Sequence, residues 1–412
     1  MTTSSWAVVR LLRDRNAVLY LTGVVVSGFG TSALWLVSGV WVKDLTGSDG
    51  LAALCTAALW APTLLGPVLG TLADRVRRRP LVILTNLGLA LLLLPLWTVA
   101  SPASVWLLFA VLVLYGAAGV VEDAATSALV VAAVDPALLG DFNGLRMTAR
   151  EGMKLVAPLT GAALYTAYGG PSVALLDACT FVLAAGLCAL LRVREERPEW
   201  PARAPGTWRR QSAEGVRLLW AHPALRPLVR AGGVTMCLAS LGSSLNYAVV
   251  AALGHSPAYT GVMYAVQGVG SVGVGLVSGT ALRRLGERRF AAYGIALTGV
   301  AVAGRAVPCD MALLACSLAG GLGLPCVLIA AHTAVQRAIP AAALGRATAT
   351  ADTLMFTPNV LGLAAGAALV ELVDHRLLLP VFGGALLVTA RSLAQRNASR
   401  TAARSPSDAN PA

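Results

Sequence analysis

Charge is scarce in this 412-residue chain: Asp, Glu, Lys and Arg make up 13 % of it, about half the share usual in a soluble globular protein. That shortage argues against a water-soluble enzyme, a nucleic-acid-binding protein and a disordered chain alike. Lysine is nearly absent, with only Lys43 and Lys154. The seven cysteines (Cys55, Cys179, Cys188, Cys237, Cys309, Cys316 and Cys326) form no CxxC and pair with no histidine. Neither a disulfide framework nor a metal site is expected. The chain also lacks G-x-x-x-x-G-K-[ST], H-E-x-x-H and G-x-S-x-G. Those absences count against an ATP-driven pump, a zinc protease and a serine hydrolase.

What the chain has is apolar residues, 57 % of the total, with a mean hydropathy of +0.71. They fall in separate blocks, and a membrane-spanning helix needs about 20 mostly apolar residues. The blocks predict twelve spans near residues 17–41, 51–73, 80–99, 104–130, 144–168, 171–192, 227–253, 257–282, 289–307, 310–333, 347–370 and 376–396. The fifth and eleventh are the least apolar. Arg10, Arg13 and Arg15 precede the first span with no small-residue cleavage site, so that helix is expected to be retained.

The net charge of +12 would suggest nucleic acid in a soluble domain, but here the basic residues lie between apolar blocks, where anionic headgroups and the insertion machinery act on them. With the N-terminus inside, 27 basic residues fall in inner segments and three (Lys43, Arg305 and Arg376) in outer loops, with Arg150 and Lys154 in the fifth span. Both termini are therefore expected to be cytoplasmic. The bias to Arg, Ala and Gly fits a GC-rich bacterial coding sequence, and hence a bacterial cytoplasmic membrane.

The longest polar stretch, Arg192 to Arg226, divides the spans six and six. Its second part, Trp208 to Trp220, predicts an amphipathic helix on the membrane surface. Gly70-Thr71-Leu72-Ala73-Asp74-Arg75 recurs as Gly279-Thr280-Ala281-Leu282-Arg283-Arg284 at an offset of 209. Gly161-Ala162-Ala163-Leu164 recurs as Gly366-Ala367-Ala368-Leu369 at an offset of 205. Two matches at similar offsets predict two equivalent halves, a transporter architecture. The expected organisation is an N-terminal six-helix bundle over 1–191, a cytoplasmic linker over 192–226, a second bundle over 227–396 and a disordered tail over 397–412.

Gly70 to Arg79, with its Ala73-Asp74-Arg75 core, resembles the signature G-x-L-A-D-R-x-G-R-[RK] of the major facilitator superfamily, departing from it at Arg77, where the pattern has Gly. Ala61 to Arg79, Leu45 to Ser48, and Glu214 to Leu228 are similar to its bacterial drug and metabolite efflux branch. The resemblance implies an all-α integral membrane fold of twelve helices in two pseudo-symmetric six-helix bundles. It also implies that Gly70, Asp74, Arg75 and Arg79 act as a conformational latch. A carboxylate at that point can pair with Arg75 or Arg79, or cap a neighbouring helix. The second copy has Arg283 where the first has Asp74, so the latch is expected to be asymmetric. Gly152 to Ala162 is similar to a degenerate form of the antiporter signature, with Gly152, Pro158 and Gly161 as its gating and packing positions.

Ionisable groups within spans are costly and usually functional. Glu122 and Asp123 in the fourth span, and Arg150, Glu151 and Lys154 in the fifth, are the proton-coupling candidates. Arg150 and Lys154 share a helix face, so one of them is expected to meet Glu122 or Asp123. The alternative is a static ion pair between two helices. Asp177, read as lying near the outer surface, and Asp352 are weaker candidates, and His332 reads as structural. The superfamily lines its cavity with the first, fourth, seventh and tenth spans, which nominates Trp35, Tyr115, Asn246 and Tyr247, with Gln267 nearby, as substrate contacts. For each, helix packing is the competing reading. Gly268-Val269-Gly270-Ser271-Val272-Gly273 matches a dinucleotide fingerprint but sits inside an apolar span, where close packing explains it.

The sequence thus predicts a secondary transporter, not an enzyme. It is expected to export a small hydrophobic or amphiphilic molecule by proton antiport, to need no cofactor and no nucleic acid, and to act as a monomer in the bilayer. An importer or facilitator of a polar solute on the same fold is the main alternative, and a non-transporting receptor the lesser one.

Overall fold

The computed structural model describes residues 9–193, 208–255 and 259–402. These residues form a helical bundle whose elements match the twelve predicted spans to within a few residues. The first span, Arg15–Thr46, opens where Asp14 accepts from Ala17 N at 2.9 Å and closes at Gly47, whose φ of 69° suits a residue without Cβ. Ser48 then caps the second span through Leu51 N. That span is broken: helix Asp49–Trp60, a 3₁₀ turn Ala61–Leu65 and helix Gly66–Arg75. Pro62 and Pro67, which lack backbone donors, set the two joints.

The third span, Arg78–Leu93, ends in a 3₁₀ turn, and the fourth is Val105–Ala133. The fifth, Leu139–Tyr168, and sixth, Gly170–Ala189, complete the first half. The seventh is split at Leu245 into Leu225–Ser244 and Asn246–Ala252. The eighth and ninth run together as Tyr259–Gly304, separated only by Gly286 at φ 73°. The tenth, eleventh and twelfth are Asp310–Ala338, Leu344–Leu372 and His375–Ala402. The twelfth continues six residues past the predicted end at 396, into the stretch expected to be a disordered tail; residues 403–412 lie outside the described part.

Among the described residues, eight helices are long and apolar enough to cross a membrane. The eighth and ninth spans count as one of these, and the fifth, seventh and eleventh fall short. The fifth and eleventh are the two that hydropathy marked weakest, and packing explains why. The fifth lies against the eighth, and the eleventh against the second, so both exchange lipid for protein contact across the middle of the molecule.

Within the first half, the first span packs on the fifth and sixth; within the second, the seventh packs on the eleventh and twelfth. Each half has a main core of its own, and small residues such as Ala128 and Ala349 join them at the interface. One gathers Leu34, Val37, Leu93, Leu112 and Phe181, the other Leu228, Ile295, Val327, Met355 and Leu386. The linker helix, Trp208–Ala221, packs against the ends of the second and eleventh spans, with Leu219 fully buried. It braces the bundle and is not an isolated surface helix. Its apolar side is only partly covered by protein, since Val216 and Trp220 stay exposed beside the buried Leu219.

Candidate functional site

The two halves meet on the face that carries the arginine-rich turns, here called the basic face. Asp74, in the last turn of the second span, accepts from Gly345 N at 2.9 Å and Arg346 N at 3.1 Å. Its carboxylate thereby caps the eleventh span, whose own N-cap residue, Ala343, has no side chain to do so. Arg346 Nε stands 3.7 Å from the same carboxylate and its Nη1 reaches Glu214 of the linker helix at 3.1 Å. Of the alternatives open for Asp74, helix capping is the one found. Arg75 closes the last turn of the second span. Arg79 donates to the Cys188 and Ala189 carbonyls at the end of the sixth span. Gly70 permits the contact: a Cβ there would sit 2.6 Å from Ala349 Cβ and 2.9 Å from Gly345 O. Thr353 adds a hydrogen bond to Thr63 O at 2.6 Å across the same interface.

The second copy of the motif is engaged at the corresponding place through a side-chain ion pair with its charges exchanged. Arg283, the counterpart of Asp74, pairs with Asp141 at the start of the fifth span, and the Asp141 side chain is 1 % exposed. At the 205-residue offset, Leu139-Gly140-Asp141 corresponds to Leu344-Gly345-Arg346. Both triplets follow a 3₁₀ turn and open a span. The asymmetry expected from Arg283 is therefore a reversal of polarity: the first contact caps a helix through backbone N–H groups, and the second is an ion pair between side chains. Asp141 was not among the sequence candidates, although the repeat offset pointed to it. Gly279 lies against the Asp141 carboxylate, and Gly144 lies against Ser278 and the Gly275 carbonyl. Deeper in, Asn143 donates to Thr333 Oγ1 at 2.9 Å and Gln336 Oε1 at 2.7 Å, joining the fifth and tenth spans. All the hydrogen bonds between halves named here lie toward the basic face, which is closed.

Behind this seal lies the charge cluster. Asp123 Oδ1 receives Arg146 Nη2 at 2.6 Å and Arg150 Nη2 at 2.5 Å. Asp123 and Arg150 are each about 40 % exposed, while Arg146 is nearly buried. Arg150 is thus the residue that meets the fourth span. Lys154 instead bonds Glu151 on its own helix at 2.7 Å, so neither of those two joins the cluster. Glu122 points away from Asp123's partners and accepts from Asn86 of the third span at 3.0 Å. Arg146 and Asn86 are additions to the sequence reading. Arg146 sits one helical turn before Arg150, a spacing that could have found it. In the second half His332 and Asp352 bridge the tenth and eleventh spans at 2.7 Å, partly exposed.

Comparison with known proteins follows the same outline. A family model described as the Major Facilitator Superfamily matches residues 20–362. The chain belongs to the Major Facilitator Superfamily. A curated relative from Bacillus subtilis (strain 168), described as the uncharacterized MFS-type transporter YfiS, is 25 % identical over 349 residues, covering 79 % of each chain. The fold is similar to that of a bacterial homologue of the iron transporter ferroportin in an outward-facing state. The TM-score is 0.74 at 18 % identity, over 92 % of this chain and 99 % of that one. It is also similar to the human organic anion transporter MFSD10, with a TM-score of 0.72 at 17 % identity, over 92 % of this chain and 99 % of that one.

As a Major Facilitator Superfamily member, the chain places its nominated cavity residues unevenly. Trp35 is 47 % exposed, and Gln267 is half-buried on the eighth span. Tyr115 is a correction: it is 6 % exposed within the first half. Its hydroxyl donates to Asp177 Oδ2 at 2.9 Å and lies 2.8 Å from Thr31 Oγ1. Asp177 is fully buried, also bonded by Thr180 Oγ1, and faces the interior of the first bundle. Gly30 makes room for it, since a Cβ there would overlap the Asp177 carboxylate. Asn246 is likewise a correction, 2 % exposed and engaged by Arg305. The Tyr247 side chain lies outside the described part. Gly161 packs on Ala33 of the first span, where a Cβ would approach Ala33 Cβ at 2.9 Å, whereas Gly152 borders open space. Pro158 lies inside the fifth helix.

The buried Tyr115–Asp177 pair gives a stability prediction. Tyr115→Phe removes one donor from a buried carboxyl group, and such a loss costs about 1–3 kcal/mol. The detergent-solubilised variant should unfold several degrees lower while its transport rate stays near wild type. A large loss of transport without loss of stability would put Tyr115 back among the substrate contacts.

Proposed function

We propose that this transporter exports a small hydrophobic or amphiphilic molecule from a bacterial cytoplasm in exchange for protons, by alternating access between its two halves. The observation that carries the reading is Asp123: a half-exposed intramembrane carboxylate shared by two arginines, directly behind the closed seal. A group so placed can trade its guanidinium partners for a proton when the halves rearrange. The His332–Asp352 pair offers a second exchangeable site in the other half. In this reading the basic face is cytoplasmic and the structure represents the outward-open form. The names of the structural neighbours mention iron and organic anions, two unlike cargoes, so the substrate class rests on this chain's own residues.

The test uses acid-loaded inside-out vesicles and a panel of lipophilic drugs and antibiotics. One compound class should release protons in a manner that depends on the transporter. Asp123→Asn should reduce that release at least tenfold while leaving binding of the same compound in detergent within about twofold, since only the transported charge is removed. Proton-driven transport that survives both Asp123→Asn and Glu122→Gln would sink the coupling site. Substrate uptake into right-side-out vesicles along its own gradient, with no proton movement, would favour the facilitator reading.

A further inference from the structure

Arg305 follows the ninth span and is one of three basic residues assigned to the face opposite the seal. Lys43 and Arg376 are exposed there, but Arg305 is 6 % exposed. Its side chain turns into the second bundle, where Nη1 donates to Asn246 Oδ1 at 3.1 Å. Asn246 stands at the break in the seventh span, immediately after Leu245. Its own Nδ2 reaches the hydroxyl of Tyr264 at 3.5 Å, and Tyr264 is 48 % exposed. The guanidinium is thus two side chains from the surface.

No carboxylate lies within 4.0 Å of Arg305 among the described residues, and its Nε is buried without any hydrogen-bond partner. A guanidinium does not shed its proton in a protein, so this is a permanent positive charge buried without a counter-charge. Such an arrangement is costly, and the fold does not require it. At the repeat offset the first half has Leu96 to Ala100 in this place, with no charged residue. The atoms left over are also specific. Asn246 occupies Nη1, leaving the Nε–Nη2 edge, whose two parallel N–H groups match the two oxygens of a carboxylate. Gly320 borders that edge: a Cβ there would stand 3.5 Å from Nη2, in ordinary van der Waals contact.

We infer that Arg305, held in place by Asn246, forms an anion site that takes the carboxylate of a transported substrate on its Nε–Nη2 edge. The substrate class named in the preceding subsection is narrowed accordingly, to amphiphiles that carry a carboxylate. The inference rests on the transporter reading but not on proton coupling, and the two fail separately, because binding is measured without any gradient.

The probe is benzoate, added to purified detergent-solubilised transporter in a sulfate buffer of constant ionic strength, with neutral benzamide and chloride as comparison arms. Benzoate should raise the apparent Tm saturably and benzamide should not. Arg305→Gln should weaken the benzoate response at least tenfold. Chloride matching benzoate would assign the edge to an inorganic ion and overturn the substrate assignment. Equal responses in the wild type and Arg305→Gln, or no wild-type response, would overturn the site. Because Arg305→Gln removes a buried side chain, Asn246→Asp supplies an independent check. It places a carboxylate within reach of the guanidinium, so it should raise Tm in plain buffer and abolish the benzoate response. An unchanged Tm and an intact response in Asn246→Asp would equally refute the site.

Discussion

Arg283→Asp is expected to lower transport by about two orders of magnitude, and adding Asp141→Arg to restore most of it. In the single variant, the buried Asp141 carboxylate would face a second carboxylate across the closed interface. Breaking a buried pair costs about 3–5 kcal/mol; the lower end applies here because Arg283 is one-third exposed. About 3 kcal/mol against one conformer corresponds to a population change of roughly 100-fold. Alternating access fails when either conformer is lost, so flux should fall with that population. The double reversal recreates the polarity that Asp74 and Arg346 already show at the other contact, so the backbone there can accommodate it. Flux in vesicles, normalised to folded protein, measures both. A double variant as inactive as the single would mean that the pair acts through something other than opposite charge.

Gly144→Val is the second large effect. A Cβ at residue 144 would overlap Ser278 Oγ and the Gly275 carbonyl, and the latter is backbone that cannot rotate away. Overpacking of this kind typically costs about 1–3 kcal/mol, and here the strain falls only on the closed form, because the colliding groups belong to the other half. Transport should drop at least tenfold. A cysteine placed at Gln336, 3 % exposed under the seal, should become reactive to a water-soluble maleimide from the basic face. Gly88→Val is the control, since nothing lies within 4 Å of its added Cβ. If Gly144→Val transports as well as Gly88→Val, the fifth and eighth spans do not need to touch for turnover.

Much of this was legible in the sequence, and the exceptions have physical causes. Hydropathy and the distribution of arginine set out the spans, because lipid contact and insertion both act on composition. Even the weak fifth and eleventh spans were informative, since polarity in a span reports protein contact on its faces. Asp74 was legible because its motif is compact. Asp141 was not: its partner Arg283 lies 142 residues away, and only the repeat offset connects them. Tyr115 and Asn246 were misplaced for a different reason. In a helix that is apolar on every side, periodicity does not separate the face toward the cavity from the face toward its own bundle. A polar side chain on either face looks the same. Arg305 read only as one more outer-loop charge, because burial of a side chain beyond a helix end leaves no trace in hydropathy.

The exchanged polarity of the two seal contacts has a consequence for assembly. Had the repeat been copied faithfully, each half would present one acid and one base at the seal. Instead Asp74 and Asp141 both belong to the first half, and Arg283 and Arg346 both to the second. At these two contacts the halves therefore differ in sign. Two first halves from neighbouring chains would repel across this surface, as would two second halves. Severed between residues 193 and 208 and produced as separate fragments, the halves should reassociate with each other and shun their own kind.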